Sequence, residues 1–160
     1  MPHPDNRPIA RVLRRIAGIL DLLELDPKGF RVRAFATAAD SVRAQPRSLV
    51  EMVREKEDLT TISDVGPAIA NTIEELVRDG SSAYLKELEQ EPGAGLVDAL
   101  RISGMGVKKV RALRVGLELE TLSDLRAACE DGRVAGLKGF SQASQAKILE
   151  RLDDLGGQAS

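Results

Sequence analysis

Apolar residues recur at helical spacing along most of the chain. Ile9, Val12, Leu13, Ile16, Leu20 and Leu23 share one face of a helix predicted from Arg7 to Leu25. Pro8 suits its first turn, where a missing N–H costs nothing. Asp26-Pro27-Lys28-Gly29 reads as a turn. A second helix is predicted over Phe30 to Ala44, with Phe30, Ala34 or Phe35, Ala38 and Val42 inward and Pro46 as its stop. Ser48 is placed to cap a short helix from Leu49 to Arg54. Two further helices are expected, from Pro67 to Arg78 with Gly80 as terminator, and from Ser81 or Ser82 to Glu89. The stretch Glu91-Pro92-Gly93-Ala94-Gly95 is the best domain boundary. Beyond it an apolar run from Leu96 leads to a helix ending near Glu118. Thr121-Leu122-Ser123-Asp124 resembles a capping box opening a helix to Glu130, which Asp131-Gly132 ends. A last helix, Ser141 to Leu155, carries Ile148, Leu149, Leu152 and Leu155 as its apolar stripe, and residues 156–160 are expected to fray. No strand-like alternation is present. The expected fold is all-α, in two small helical domains, residues 1–90 and 91–160.

One phrase recurs within this pattern. Ile102-Ser103-Gly104-Met105-Gly106 ends an apolar run and opens a helix at Val107, with Lys108 and Lys109 in its first turn. Two glycines around one apolar residue allow a tight turn, because glycine has no Cβ to clash at positive φ. The first backbone N–H groups of the following helix have no partner inside it and lie at the positive end of its dipole. That is a ready anion site, and two lysines there favour a phosphate. Leu59-Thr60-Thr61-Ile62-Ser63-Asp64-Val65-Gly66-Pro67 repeats the phrase with Asp64 in place of the first glycine. Val134-Ala135-Gly136-Leu137-Lys138-Gly139-Phe140-Ser141 repeats it with Ser141 in place of the second. Repetition within one short chain argues against coincidence. The phrase resembles the helix-hairpin-helix motif of DNA repair and replication proteins, and Ala99 to Lys109 fits that motif throughout.

Charge restricts how a phosphate could be held. The chain is 42% apolar and 30% charged, with a net charge of −2 and a pI near 5.6. A protein that neutralises few phosphates binds nucleic acid weakly, so any binding must come from local basic patches and backbone amides. Tryptophan is absent, and the aromatic residues are Tyr84, Phe30, Phe35 and Phe140, a poor set for base stacking. Arg7, Arg11, Arg14 and Arg15 cluster on the first helix, either as a solvated face whose stems cover apolar surface or as a surface for a partner. Cys129 lies in a helical run and is expected in the core. No run is long and apolar enough to span a membrane, and the first residues do not read as a signal peptide; these features predict a cytoplasmic protein.

The order of motifs widens the resemblance. An amphipathic helix, then Phe30-Arg31-Val32-Arg33-Ala34-Phe35, a hairpin and a paired-hairpin domain look like the N-terminal region of bacterial family X DNA polymerases, from about Arg7 to Leu155. The resemblance implies a lyase-type domain that grips the 5′-phosphate side of a gap, followed by a fingers-like domain that holds DNA. The family's palm, with its metal-binding aspartates, has no counterpart here. The only histidine is His3, expected in a disordered tip, so no phosphoesterase metal cluster is expected either. In lyase-active relatives a lysine forms a Schiff base with the sugar aldehyde. The matching position is Thr72, and the phosphate-binding lysine one turn earlier is Ala68. A family tyrosine is Phe35, while Arg31 keeps a phosphate-contacting charge.

The expected function is therefore non-sequence-specific binding of duplex DNA, gapped or nicked, in repair or replication, with no catalysis by this chain alone. The expected DNA contacts are Gly104, Gly106, Val107, Lys108 and Lys109 in the middle hairpin. Gly66 and Ala68 belong to the first hairpin, Lys138, Gly139 and Ser141 to the third, and Arg31 and Arg33 are placed to hold a 5′-phosphate end. Pro67, without an N–H, and Asp64, with its charge, weigh against the first hairpin. The resemblance also implies a monovalent cation, Na+ or K+, on the carbonyls of Leu100, Ile102 and Met105, and of Thr60, Ile62 and Val65 in the first copy. Two alternatives stand beside this reading. One is a protein-interaction scaffold on a degenerate hairpin fold, with a repair or replication protein as partner. The other is a residual 5′-deoxyribose phosphate lyase using another lysine, Lys56 or Lys86 being nearest.

Overall fold

The computed structural model describes residues 1–159, with side chains up to residue 155. Every regular element among these residues is helical. The chain divides into two units, the first Met1–Gln90 and the second beginning at Glu91.

The first unit holds α1 (Asn6–Leu22), α2 (Phe30–Ala44), α3 (Leu49–Arg54), a 3-10 turn (Leu59–Thr61), α4 (Pro67–Asp79) and α5 (Ala83–Glu89). Its core joins Leu13, Ile16, Ile19 and Leu20 of α1 with Phe35, Ala38, Ala39 and Val42 of α2, and with Leu49, Leu59 and Ile73. Burying each of these side chains other than the alanines is worth roughly 1.5–3 kcal/mol. α1 stops at Leu22 rather than Leu25. Glu24 turns left-handed (φ 55°), and the Leu25 N–H closes back on the Leu20 carbonyl at 2.9 Å. Phe30, expected inward, is 66% exposed and carries the Arg33 guanidinium 5.2 Å from its ring centroid.

The expected disordered tip is instead tied down. The His3 N–H donates to the Gln45 carbonyl at 2.8 Å. Asn6, wholly buried, donates to the carbonyls of Gln45 (3.2 Å) and Arg47 (2.8 Å) and accepts from the Leu49 N–H (2.9 Å). A buried amide with its bonds made latches the start of α1 to the α2–α3 loop.

The second unit begins with a 3-10 helix (Ala94–Arg101), then α6 (Val107–Leu117), α7 (Leu122–Glu130) and α8 (Gln142–Ala159). Leu96, Ala99 and Ile102 are buried at three-residue spacing, which is the 3-10 period. Arg114 of α6 crosses Gly93 and donates to the Pro92 carbonyl at 3.1 Å; a Cβ on Gly93 would lie 2.2 Å from its Nε. Gly116 admits Leu137, which a Cβ would meet at 2.8 Å, so α6 sits close against the third turn. α7 opens on a capping box between Thr121 and Asp124. Cys129 is buried, which pushes its thiol upward, with Arg126 opposing. In the α8 stripe Ile148 and Leu152 are buried and Leu149 and Leu155 half-buried. α8 runs to Ala159 within the end expected to fray, and Ser160 lies outside the described residues.

Candidate nucleic-acid interface

The three repeated phrases fold alike at their corners. Each inserts one left-handed residue at the same place: Asp64 (φ 68°), Gly104 (φ 85°) and Gly139 (φ 92°). The apolar row of each phrase faces inward, with Leu59, Ile62 and Val65 buried in the first copy and Ala99, Ile102 and Met105 in the second. In the third, Val134 is buried and Leu137 and Phe140 are half-buried. The amides of Val65, Met105 and Phe140 each close the turn on the carbonyl three residues back, at 3.0–3.1 Å. The first two copies enter this turn from 3-10 helices, and the third from a string of turns.

The middle hairpin leaves a helix start open. Gly106 is the N-cap of α6, with no side-chain cap bond. Its carbonyl accepts the Val110 N–H at 3.1 Å, so the first regular helix bond begins one turn in. The amides of Gly106, Val107, Lys108 and Lys109 precede it, as orphan donors of a helix start do. Gly106, Lys108 and Lys109 are exposed and Val107 is half-buried. Neither φ nor packing demands glycine at 106: φ is −81°, and a Cβ there meets nothing within 4 Å. The backbone stands bare toward the outside.

The first hairpin differs in chemistry. Gly66 caps α4 without a side chain, and Pro67 removes one donor. Asp64 accepts from the hydroxyls of Ser41 (2.9 Å) and Ser63 (3.3 Å), so its charge is held at the corner. Ala68 is exposed, and its carbonyl accepts the hydroxyl of buried Thr72 at 3.2 Å. In the third hairpin Ser141 spends the helix start on itself. Its Oγ accepts from the Ser144 N–H at 3.1 Å, and its own N–H donates to the Ser144 Oγ at 2.8 Å. Lys138 and Gly139 are exposed beside it. Of the carbonyls considered for a cation, those of Ile62 and Ile102 each accept one turn amide, which leaves each a second lone pair. Those of Thr60, Val65, Leu100 and Met105 lie on the same two turns.

Arg31 and Arg33 lie in the first turn of α2. The Asp26 carboxylate caps this helix by accepting from the Arg31 (2.7 Å) and Val32 (2.9 Å) amides. Only the Arg31 side chain therefore remains for a phosphate, and it donates to the Tyr84 hydroxyl at 2.8 Å. Tyr84 stacks on Phe35 with centroids 5.8 Å apart. Burial raises the Tyr84 hydroxyl's pKa, and Arg31 opposes that. The hydroxyl that Arg31 meets is thus that of Tyr84, whose ring stacks on Phe35. It comes from α5, and nothing local in the sequence marks the pairing.

Comparison with known proteins agrees with this geometry. Residues 4–82 match the family described as helix-hairpin-helix domain, and residues 96–154 match the SAM-like helix-hairpin-helix tandem. Helix-hairpin-helix domains thus account for most of the chain, one in each unit. It is also 36% identical over 150 residues to the DNA polymerase/3'-5' exonuclease PolX of Bacillus subtilis (strain 168), across 94% of this chain. This helix-hairpin-helix chain is similar to the N-terminal region of a family X DNA polymerase and spans about a quarter of that relative's length, 25%.

Proposed function

We propose that the chain binds duplex DNA without sequence preference, through backbone phosphates, with the middle hairpin as its principal contact. One observation carries this reading: the α6 start offers uncapped amides beside Lys108 and Lys109, and Gly106 has no side chain although neither its φ nor its surroundings require that. A bare backbone at such a place suits close approach of a phosphate. Contacts of this kind position a duplex and carry no sequence information. The third hairpin is a structural turn in this reading, since Ser141 and Ser144 occupy its donors.

A gapped or nicked substrate, in repair or replication, extends the proposal. Arg31 would meet the 5′-phosphate with its side chain alone, the amides of its helix being held by Asp26. A monovalent cation on the Leu100, Ile102 and Met105 carbonyls would neutralise the phosphate at the turn. The scaffold alternative gains little support. Among the described residues the large exposed apolar side chains are Met1, Phe30 and Val115, and scattered single residues of this kind are ordinary.

Fluorescence anisotropy tests the reading, with intact duplex and with a gapped, 5′-phosphorylated duplex at two salt concentrations. The double variant Lys108→Glu/Lys109→Glu should lose at least tenfold in affinity and bind with a shallower salt dependence. Gap preference should fall with Arg31→Ala. Exchange of Na+ or K+ for tetramethylammonium at constant ionic strength should weaken binding. No binding by the parent at low salt would rule out DNA as the ligand.

A further inference from the structure

Between α1 and α2, in the first unit, lies an open groove of about 400 Å³ lined by Arg7, Arg11, Arg14 and Arg43, with Ala10 and Ala39 as a small-residue floor. Arg7, Arg11 and Arg14 stand at i, i+4 and i+7 on one face of α1, and Arg43 joins them from the last turn of α2. Arg14 is paired with Asp40 across the groove. Arg7, Arg11 and Arg43 have no acidic partner among the described residues. Elsewhere five arginines are matched with acids: Arg15 with Glu89, Arg47 with Glu57, Arg126 with Asp153, Arg133 with Asp131 and Arg151 with Asp154.

This arrangement works against the helix that carries it. Like charges four residues apart repel, and basic residues near a helix start oppose the dipole. α1 has no acidic residue in its first turn, and Asp5, its N-cap, makes no cap bond and instead accepts from Ser48 at 3.1 Å. A ligand of opposite charge would relieve both penalties. Guanidinium groups bind phosphate oxygens by paired N–H bonds. The row from Arg7 to Arg14 runs about 10 Å along the helix axis, longer than a single phosphate.

We propose that the groove is a second phosphate-binding surface, taking consecutive phosphates of a nucleic acid backbone. It rests on the DNA-binding reading above but uses other residues, in the other unit. Neither the hairpin turns nor a 5′-phosphate end is required.

The test is anisotropy over a salt series with the full chain and a labelled duplex. Two groove variants, Arg7→Glu/Arg11→Glu and Arg11→Glu/Arg43→Glu, are compared with the parent, with Lys108→Glu/Lys109→Glu, and with a charge-matched reversal of two exposed arginines outside the groove, Arg54→Glu/Arg78→Glu. Thermal melts by circular dichroism monitor folding, which Arg7→Glu should favour by placing an acid at the α1 start. The groove variants should bind at least tenfold more weakly, and their log K against log salt slope should be shallower by about 2, for two charges lost. The charge-matched variant should stay within twofold of the parent. Groove variants that match this control, while the hairpin variant loses affinity, would overturn the groove and leave the hairpin reading standing. Loss in the groove variants alone would support the groove and remove the hairpin as principal contact. A parent that binds no DNA would overturn both. Tripolyphosphate separates a polymer site from a site for free polyphosphate. Tighter binding of tripolyphosphate than of DNA, at equal phosphate concentration and dependent on the groove arginines, would overturn the nucleic acid assignment.

Discussion

Two glycines of the middle hairpin sit two residues apart and do different work. Gly104 is left-handed at φ 85°, where a Cβ costs roughly 1–2 kcal/mol. Gly104→Ala should lower stability by that amount in denaturant titration, with the fold kept. Gly106 is extended, and its Cβ position is empty. Serine is a better N-cap than glycine by a few tenths of a kcal/mol, and Ser141 already plays that part in the third copy. Gly106→Ser should therefore leave stability unchanged or slightly raised, while DNA affinity in anisotropy drops at least tenfold. Joint loss of stability and binding would contradict this assignment. Asp64 shows the residue that the left-handed corner tolerates when glycine is absent, here held by two serine hydroxyls.

At the scale of elements, helix starts decide which hairpins remain available. α4 begins on Gly66-Pro67, α6 on an uncapped Gly106, and α8 on a serine pair that bonds within itself. Capping also ties stability to pH. Asp124 accepts from the Glu120 (3.0 Å) and Thr121 (3.2 Å) amides; the Glu120 bond first, helped by Thr121, holds its carboxyl below the usual carboxylate range against opposing desolvation. Because its folded pKa is depressed, its contribution is complete above that range and is lost as pH falls through and below it. Asp58, held down by the Thr60 hydroxyl, and Glu57, held down by Arg47, act in the same direction. Melting temperature should fall as pH drops from neutral into the carboxylate range and beyond, and Asp124→Asn should flatten part of that fall. Thr121→Ala, which removes the other half of the box, should cost about 1 kcal/mol at neutral pH.

At the scale of the molecule, each unit has its own buried core. The second, starting at Glu91, is small, and chains of that size keep only a modest surplus over conformational entropy. Separate fragments 1–90 and 91–160 should each show helical circular dichroism and a cooperative melt, with the second melting lower. An unfolded first fragment would contradict the division, since its core lies wholly within Met1–Gln90. With net charge −2 on the chain, DNA affinity should rest on local contacts and fall with salt at a slope of about −0.9 for each phosphate they neutralise.

The local features could be read directly from the order of residues. α2 and α3 begin and end where the apolar period, Ser48 and Pro46 place them, and the box at Thr121 and the left-handed cap at Gly80 follow the same logic. The triple turn phrase was legible because a turn is closed by bonds three residues apart. Contacts between distant residues were not legible. Asn6 gave no sign that it would be buried and bonded to the α2–α3 loop, and Phe30 none that it would stand outside. The Arg31–Tyr84 bond spans 53 residues, and Arg43 reaches the α1 arginines only because α2 packs back along α1. Periodicity and capping act within one or two helical turns, so the sequence determined where helices and turns form. Which side chains then meet depends on how those helices pack, which residues far apart in the chain settle together.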